Sequence, residues 1–201
     1  VAATDMSVMI FGENGTGKEH IAHHLHDKSK RAVKPFVAVD CGSLTKELAP
    51  SAFFGHVKGA FTGADSTKKG YFYEAEGGTL FLDEVGNLAL ETQQMLLRAI
   101  QERRYRPIGD KSDRSFNVRI IAATNEDLEA AVSEKRFRQD LFYRLHDFGI
   151  TVPPLRDCQE DILPLAEFFR EIANKELECN VSGFSSEARK ALLTHAWPGN
   201  V

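Results

Sequence analysis

The apolar run Val8, Met9, Ile10 and Phe11 feeds directly into Gly12-Glu13-Asn14-Gly15-Thr16-Gly17-Lys18, and the pattern beyond is helical. A strand, a glycine-rich loop and a helix in that order are what a phosphate-cradling loop requires. The glycines let backbone N–H groups converge on phosphate oxygens, the helix N-terminus adds positive dipole, and Lys18 supplies a point charge for the terminal phosphates. A plain glycine-rich turn is the competing account; the strand, the glycine spacing and the lysine coincide against it. One position departs from the generic motif: Glu19 stands where a Ser or Thr usually holds magnesium. Magnesium must then depend more on other groups.

The rest of the chain fits the α/β architecture that such a loop belongs to. Residues 7–11, 36–39, 79–82, 118–123 and 148–152 read as short buried strands, and residues 18–27, 91–102 and 126–133 carry apolar side chains at helical spacing. Alternation of this kind implies a mainly parallel five-stranded sheet in an α/β/α sandwich over residues 1–153. After Pro153-Pro154 the character changes: residues 161–178 and 185–195 are helical with no strand between them, the first with the apolar face Ile162, Leu165, Ala166, Phe169, Ile172 and Ala173. A partial α-helical subdomain is expected over residues 154–201.

Composition narrows the function classes. With 201 residues, 42% hydrophobic and 27% charged, the chain can bury one substantial core. It has no apolar run of membrane-spanning length and no secretory leader pattern, so no membrane association and a cytoplasmic setting are expected. Cys41, Cys158 and Cys179 are far apart and form no Cys-x-x-Cys pair, which reads as reduced thiols. A net charge of -4 offers no global attraction for nucleic acid, so any DNA binding is expected to lie outside this stretch.

A second constellation lies at residues 77–84, where Gly77-Gly78-Thr79-Leu80-Phe81-Leu82-Asp83-Glu84 is an apolar strand ending in two carboxylates. Ligands of open α/β sheets sit at such strand ends. Asp83 would hold magnesium directly or through water, and Glu84 would polarise the attacking water as a base. The strand at 118–123 runs into Thr124-Asn125, where Asn125 would position water or sense the terminal phosphate. An isolated asparagine there is more often a turn former.

The hexapeptide Gly59-Ala60-Phe61-Thr62-Gly63-Ala64, preceded by Phe54-Gly55-His56, resembles the signature of bacterial sigma-54-dependent (NtrC-like) transcription activators, whose central domain is an AAA+ ATPase. The resemblance continues through residues 78–84, 119–125, 137–141, 152–156 and 160–162 to Trp197-Pro198-Gly199-Asn200. It implies an AAA+ P-loop fold, ATP with Mg2+ as cofactors, and a homo-oligomeric hexamer or heptamer ring that remodels sigma-54 RNA polymerase. It also implies that Gly59 to Ala64 tips a pore loop in which Phe61 and Thr62 engage sigma-54. Arg138 and Arg144, around a short helix, match the family's arginine fingers, which reach the ATP of the neighbouring subunit. By themselves they would be solvated helix charges.

Asp40 sits where the family usually has an asparagine that holds the catalytic glutamate off. An ionised carboxylate cannot donate as an amide would; if Asp40 and Glu84 are adjacent, a shared proton would replace the amide contact, and altered coupling between loop engagement and hydrolysis is expected. The family's adenine-contacting segment lies upstream of this chain and its sensor arginine just beyond Val201, so weak nucleotide binding and little turnover are expected of this stretch alone. His20 and His24 have a metal-compatible i, i+4 spacing, but the His-Glu-x-x-His order is absent; with His23 and His26 they read as helix-surface residues. Two alternatives stay open: a nucleotide-binding regulator with impaired hydrolysis, and another AAA+ remodelling motor.

Overall fold

The computed structural model describes residues 1–201. Five strands, β1 (Val8–Phe11), β2 (Phe36–Asp40), β3 (Thr79–Asp83), β6 (Arg119–Thr124) and β7 (Phe148–Thr151), pair in the order β2-β3-β6-β1-β7. Every pairing is parallel. The central strands have apolar middles because helices cover both faces, and all six residues of β6 are buried, Arg119 and Thr124 at its ends included. The edge strands β2 and β7 are partly open. Ladder bonds carry three strands one residue further than their apolar runs, to Asp40, Asp83 and Thr124.

The chain divides into two compact units, one of residues 1–12 and 18–151, the other of residues 13–17 and 152–201. In the first, α1 (Lys18–Asp27), α4 (Leu90–Glu102) and α5 (Leu128–Ser133) follow the expected stripes. Asp127 caps α5 by accepting from the backbone N–H groups of Glu129 and Ala130, both at 3.0 Å. Helix α4 buries Leu96, Leu97, Ala99 and Ile100, together with the polar Thr92 and Gln93.

Three short helices, α2 (Ala49–Phe54), α3 (Tyr71–Glu74) and α6 (Gln139–Leu145), complete this unit with a two-stranded ribbon of β4 (Arg104–Tyr105) and β5 (Arg114–Ser115). An aromatic cluster fastens α2 and α3 to the ribbon: Phe72 stacks on Phe54 at 5.6 Å and meets Phe116 at 4.6 Å. The loop between α2 and α3 leaves through a stem of bare backbone. A Cβ on Gly55 would fall 2.4 Å from the Lys68 carbonyl, and one on Gly70 would fall 2.3 Å from Gly55 N. Glycine is required at both positions for close approach.

The second unit contains α7 (Gln159–Glu176) and α8 (Ser186–Thr194), with Ser185 capping α8 through Ala188 N at 3.2 Å. Its apolar face is only partly covered: Ile162 is 2% exposed, whereas Phe168 and Phe169 are 57% and 47% exposed. No helix of the chain is long and apolar enough to cross a membrane.

Candidate phosphate-binding edge and its outlying loops

The parallel ladder brings the candidate residues of the first unit to one edge of the sheet. Asp40 and Asp83 are register partners at the carboxyl ends of β2 and β3, and Phe11 is the partner of Thr124. Gly12 N–H donates to the Thr124 carbonyl at 3.2 Å, which sets the start of the glycine loop beside Asn125. Lys18 opens α1 only 7% exposed, and its Nζ donates to the Gly12 carbonyl at 2.9 Å. Burial lowers the Lys18 pKa from its ordinary value, while the negative fields of Asp83 and Glu84 oppose that shift. The ammonium and the two carboxylates therefore sit within electrostatic reach of one another.

At the end of β3 the backbone turns sharply. Asp83 Oδ1 accepts from Glu84 N–H at 3.0 Å, and Glu84 takes φ 50°, ψ 44° as it enters a single 3-10 turn, Val85–Asn87. A left-handed backbone at a non-glycine residue carries about 1 kcal/mol of strain. Glu84 Oε2 accepts from Asn87 Nδ2 at 2.8 Å. Asp40 is engaged differently: its Oδ1 accepts from Gly42 N–H at 2.8 Å and Ser43 N–H at 3.3 Å, fixing the turn that follows β2. Gly42 lies between them, since a Cβ there would meet Glu84 Oε2 at 2.5 Å, Asn87 Nδ2 at 3.1 Å and Asp40 Oδ1 at 3.2 Å. The amide beside Glu84 thus comes from Asn87, and no hydrogen bond joins Asp40 to Glu84.

Residues Glu13 to Gly17 of the glycine loop group with the second unit. Gly15 and Gly17 adopt φ +76° and +82°, the left-handed region a tight phosphate loop needs. Thr16 Oγ1 donates to the Glu13 carbonyl at 2.8 Å. Arg156 donates to Glu13 Oε2 at 2.9 Å, and Asn200 donates to the same oxygen and to the Asn14 carbonyl, at 3.2 and 2.8 Å. Arg156, then Asn200, holds the Glu13 carboxyl at about 2. Glu19 points elsewhere, 3.8 Å from exposed His23.

The remaining sequence candidates are spread over the first unit. The tip loop closes through Gly59 N–H to the Ala64 carbonyl at 2.8 Å, with Ala60 between the glycine and the aromatic; Ala64 is 4% exposed. Phe61 stays 45% exposed with its ring edge-on to His56 at 5.0 Å, while Thr62 and Gly63 are exposed. Val57 N–H donates to the Ile108 carbonyl at 3.1 Å, fastening the loop to the ribbon. Arg138 immediately precedes α6 and grips Asp140 with two bonds of 3.0 and 2.8 Å; Arg144 is exposed in the last turn of the helix. Of the histidines, His26 is not a surface residue: it is 4% exposed, with Nδ1 2.9 Å from Thr79 Oγ1. No group of three or more His, Cys, Asp or Glu side chains is placed to hold a metal ion.

Sequence reasoning missed Asn87, Gly42 and Gln93. Only Asn87 left a trace, as a short amide three residues after Glu84.

Comparison with known proteins identifies the family and fold. Residues 1–151 match the family model of the sigma-54 interaction domain, and residues 156–201 match that of the AAA+ ATPase lid domain. Over all 201 residues the chain is 49% identical to the transcriptional regulatory protein ZraR of Klebsiella oxytoca. It is 50% identical to the alginate biosynthesis transcriptional regulatory protein AlgB of Pseudomonas putida. The chain spans 45% of the length of each of these relatives. Among solved structures, NtrX from Brucella abortus in complex with ADP superposes with a TM-score of 0.92 at 36% identity, over 100% of this chain and 44% of that one.

Proposed function

Because the chain belongs to the sigma-54 interaction domain family, we propose that it binds ATP at the carboxyl edge of its sheet and couples hydrolysis to movement of a loop that engages sigma-54 RNA polymerase. The observation that carries this reading is the register that sets Asp40 beside Asp83, with Gly12 hydrogen-bonded to Thr124 at the same edge. It is supported by Lys18 and the two carboxylates lying within one another's fields.

Residues Gly12 to Lys18 would wrap the phosphates with backbone N–H groups, and Lys18 would neutralise the terminal ones. Glu84 would accept a proton from a water that attacks the terminal phosphorus; the bond to the bridging oxygen breaks and the diphosphate leaves. Asn125 would orient that water or read the phosphate. Asp83 offers the hard oxygen that suits magnesium, whereas Glu19, exposed beside His23, is a poor replacement for the usual hydroxyl. Bound there, magnesium would neutralise charge on the phosphate oxygens.

Arg138 and Arg144 would serve the site of a neighbouring copy in a ring, where an arginine finger adds on the order of 10³ to 10⁵ in rate. Arg138 must first leave Asp140. Phe61 and Thr62 would make the contact with sigma-54, an exposed aromatic on a glycine-flanked tip being suited to packing on a partner. Residues 154–201 would act as the lid. A regulator that binds without hydrolysing is disfavoured by the presence of Lys18, Asp83 and Glu84 together.

Phosphate release by the intact protein, measured with and without sigma-54 RNA polymerase, tests the reading. Lys18→Ala should abolish ATP binding, and Glu84→Gln should retain binding and lose turnover. Wild-type turnover in Glu84→Gln would overturn the assignment of the base.

A further inference from the structure

Gln93 is an anomaly on α4. It lies in the first turn of a helix whose polar side faces solvent, yet it is 0% exposed. A buried glutamine is retained only where its amide is fully used. Here Nε2 donates to the Leu88 carbonyl at 2.7 Å and to the Arg136 carbonyl at 3.0 Å, while Oε1 accepts from Arg138 N–H at 2.8 Å. Two carbonyls on one side and an N–H on the other admit a single orientation of the amide, so the side chain cannot flip without breaking all three bonds.

The groups it joins are not neighbours in sequence. Leu88 ends the 3-10 turn that Glu84 begins, and within that turn Asn87 donates from its backbone to the Glu84 carbonyl at 3.0 Å and from its side chain to Glu84 Oε2. Arg138 is the residue that opens α6. A line of hydrogen bonds, continued by the peptide bond between Asn87 and Leu88, therefore runs from the Glu84 carboxylate through Gln93 to the Arg138 backbone.

We propose that Gln93 is a positioning residue that ties the backbone of Arg138 to the Glu84 turn, so that a change of the turn in one subunit is passed to the arginine it presents to the next. This rests on the reading of Glu84 as base and Arg138 as finger. A glutamine that merely fills space would stabilise the fold without acting through Arg138.

In the intact protein, ATP hydrolysis is measured against ATP concentration for Gln93→Met, Gln93→Glu, Arg138→Ala and the Gln93→Met/Arg138→Ala double variant, alongside equilibrium ATP binding and thermal melting. Gln93→Met should lower kcat about 10²-fold, the loss typical of a displaced catalytic group, and leave ATP affinity unchanged. The double variant should be no slower than Arg138→Ala, because a residue acting through Arg138 has nothing left to position. Gln93→Glu keeps an oxygen for Arg138 N–H but no amide for the two carbonyls, and should lose rate in the same direction. Should Gln93→Met fail to fold, Gln93→Glu combined with Arg138→Ala carries the same comparison. Losses that multiply in the double variant, or wild-type kcat in both Gln93 variants, would overturn the bridge alone. Wild-type kcat in Arg138→Ala would overturn the finger reading and the bridge with it.

Discussion

Gly42→Ala separates the geometry of Glu84 from the stability of the fold. The new methyl carbon would stand 2.5 Å from Glu84 Oε2, and an ordinary contact demands that the carboxylate retreat by roughly 1 Å. Gly42 is not among the residues at positive φ, so its backbone accepts alanine without strain. The three nearest atoms are all ends of side chains, of Glu84, Asn87 and Asp40, which can rotate away. The steric cost is then about 1 kcal/mol or less, and it is partly offset by about 0.4–1 kcal/mol from the stiffer unfolded chain. Melting should shift by no more than about 4 °C. Catalysis should suffer far more: a base displaced by roughly 1 Å costs about 10²-fold in kcat, or about 2.7 kcal/mol of activation free energy. Calorimetry and steady-state phosphate release on the intact protein give both numbers. Near-wild-type kcat in a folded variant would refute the placement of Glu84 against Gly42, and a melting drop of about 10 °C would refute the claim that only side-chain ends give way.

Other perturbations probe the remaining parts. Asp40→Asn retains an oxygen for Gly42 and Ser43 N–H but adds an amide donor, so melting should hold while the hydrolysis rate and its response to sigma-54 change; if rate and response both stay as in the wild type, Asp40 has no part in the switch. Phe61→Ala removes an exposed ring, so stability and ATP binding should persist while sigma-54 capture in a pull-down is lost. His26 is held below its ordinary pKa chiefly by burial, with Asp27 opposing. Its unfolded form takes up a proton first as pH falls, so stability is whole above about pH 6.5 and declines below it. Melting temperatures recorded from pH 7.5 to 5 should show that decline, and His26→Gln should flatten it.

The central sheet was legible because strands covered on both faces carry unbroken apolar runs, as residues 120–123 do. The strand, glycine-rich loop and helix over residues 8–27 were legible because the glycines and lysine follow a strand directly. Helices α2 and α3, six and four residues long, are too short to show a period. The ribbon strands are two residues each and are held by aromatic packing from distant segments. At the site, residue types were readable but partners were not. Asp40 announced itself by its position, yet nothing local said that its carboxylate would close a turn while Asn87 reached Glu84. Gln93 and His26 sit on helices where a polar residue ordinarily faces water, and only tertiary contacts reveal their burial.

The bare stem at Gly55 and Gly70 has a consequence for how such a loop can diversify. Where two chain segments touch through main-chain atoms alone, the junction does not register which side chains lie beyond it. Residues 57–67 can therefore change their surface without a change being felt through this junction, whereas Lys69 reaches back to Tyr73. Any side chain larger than hydrogen at either stem glycine would wedge the two segments apart and pass every change at the tip straight into the core.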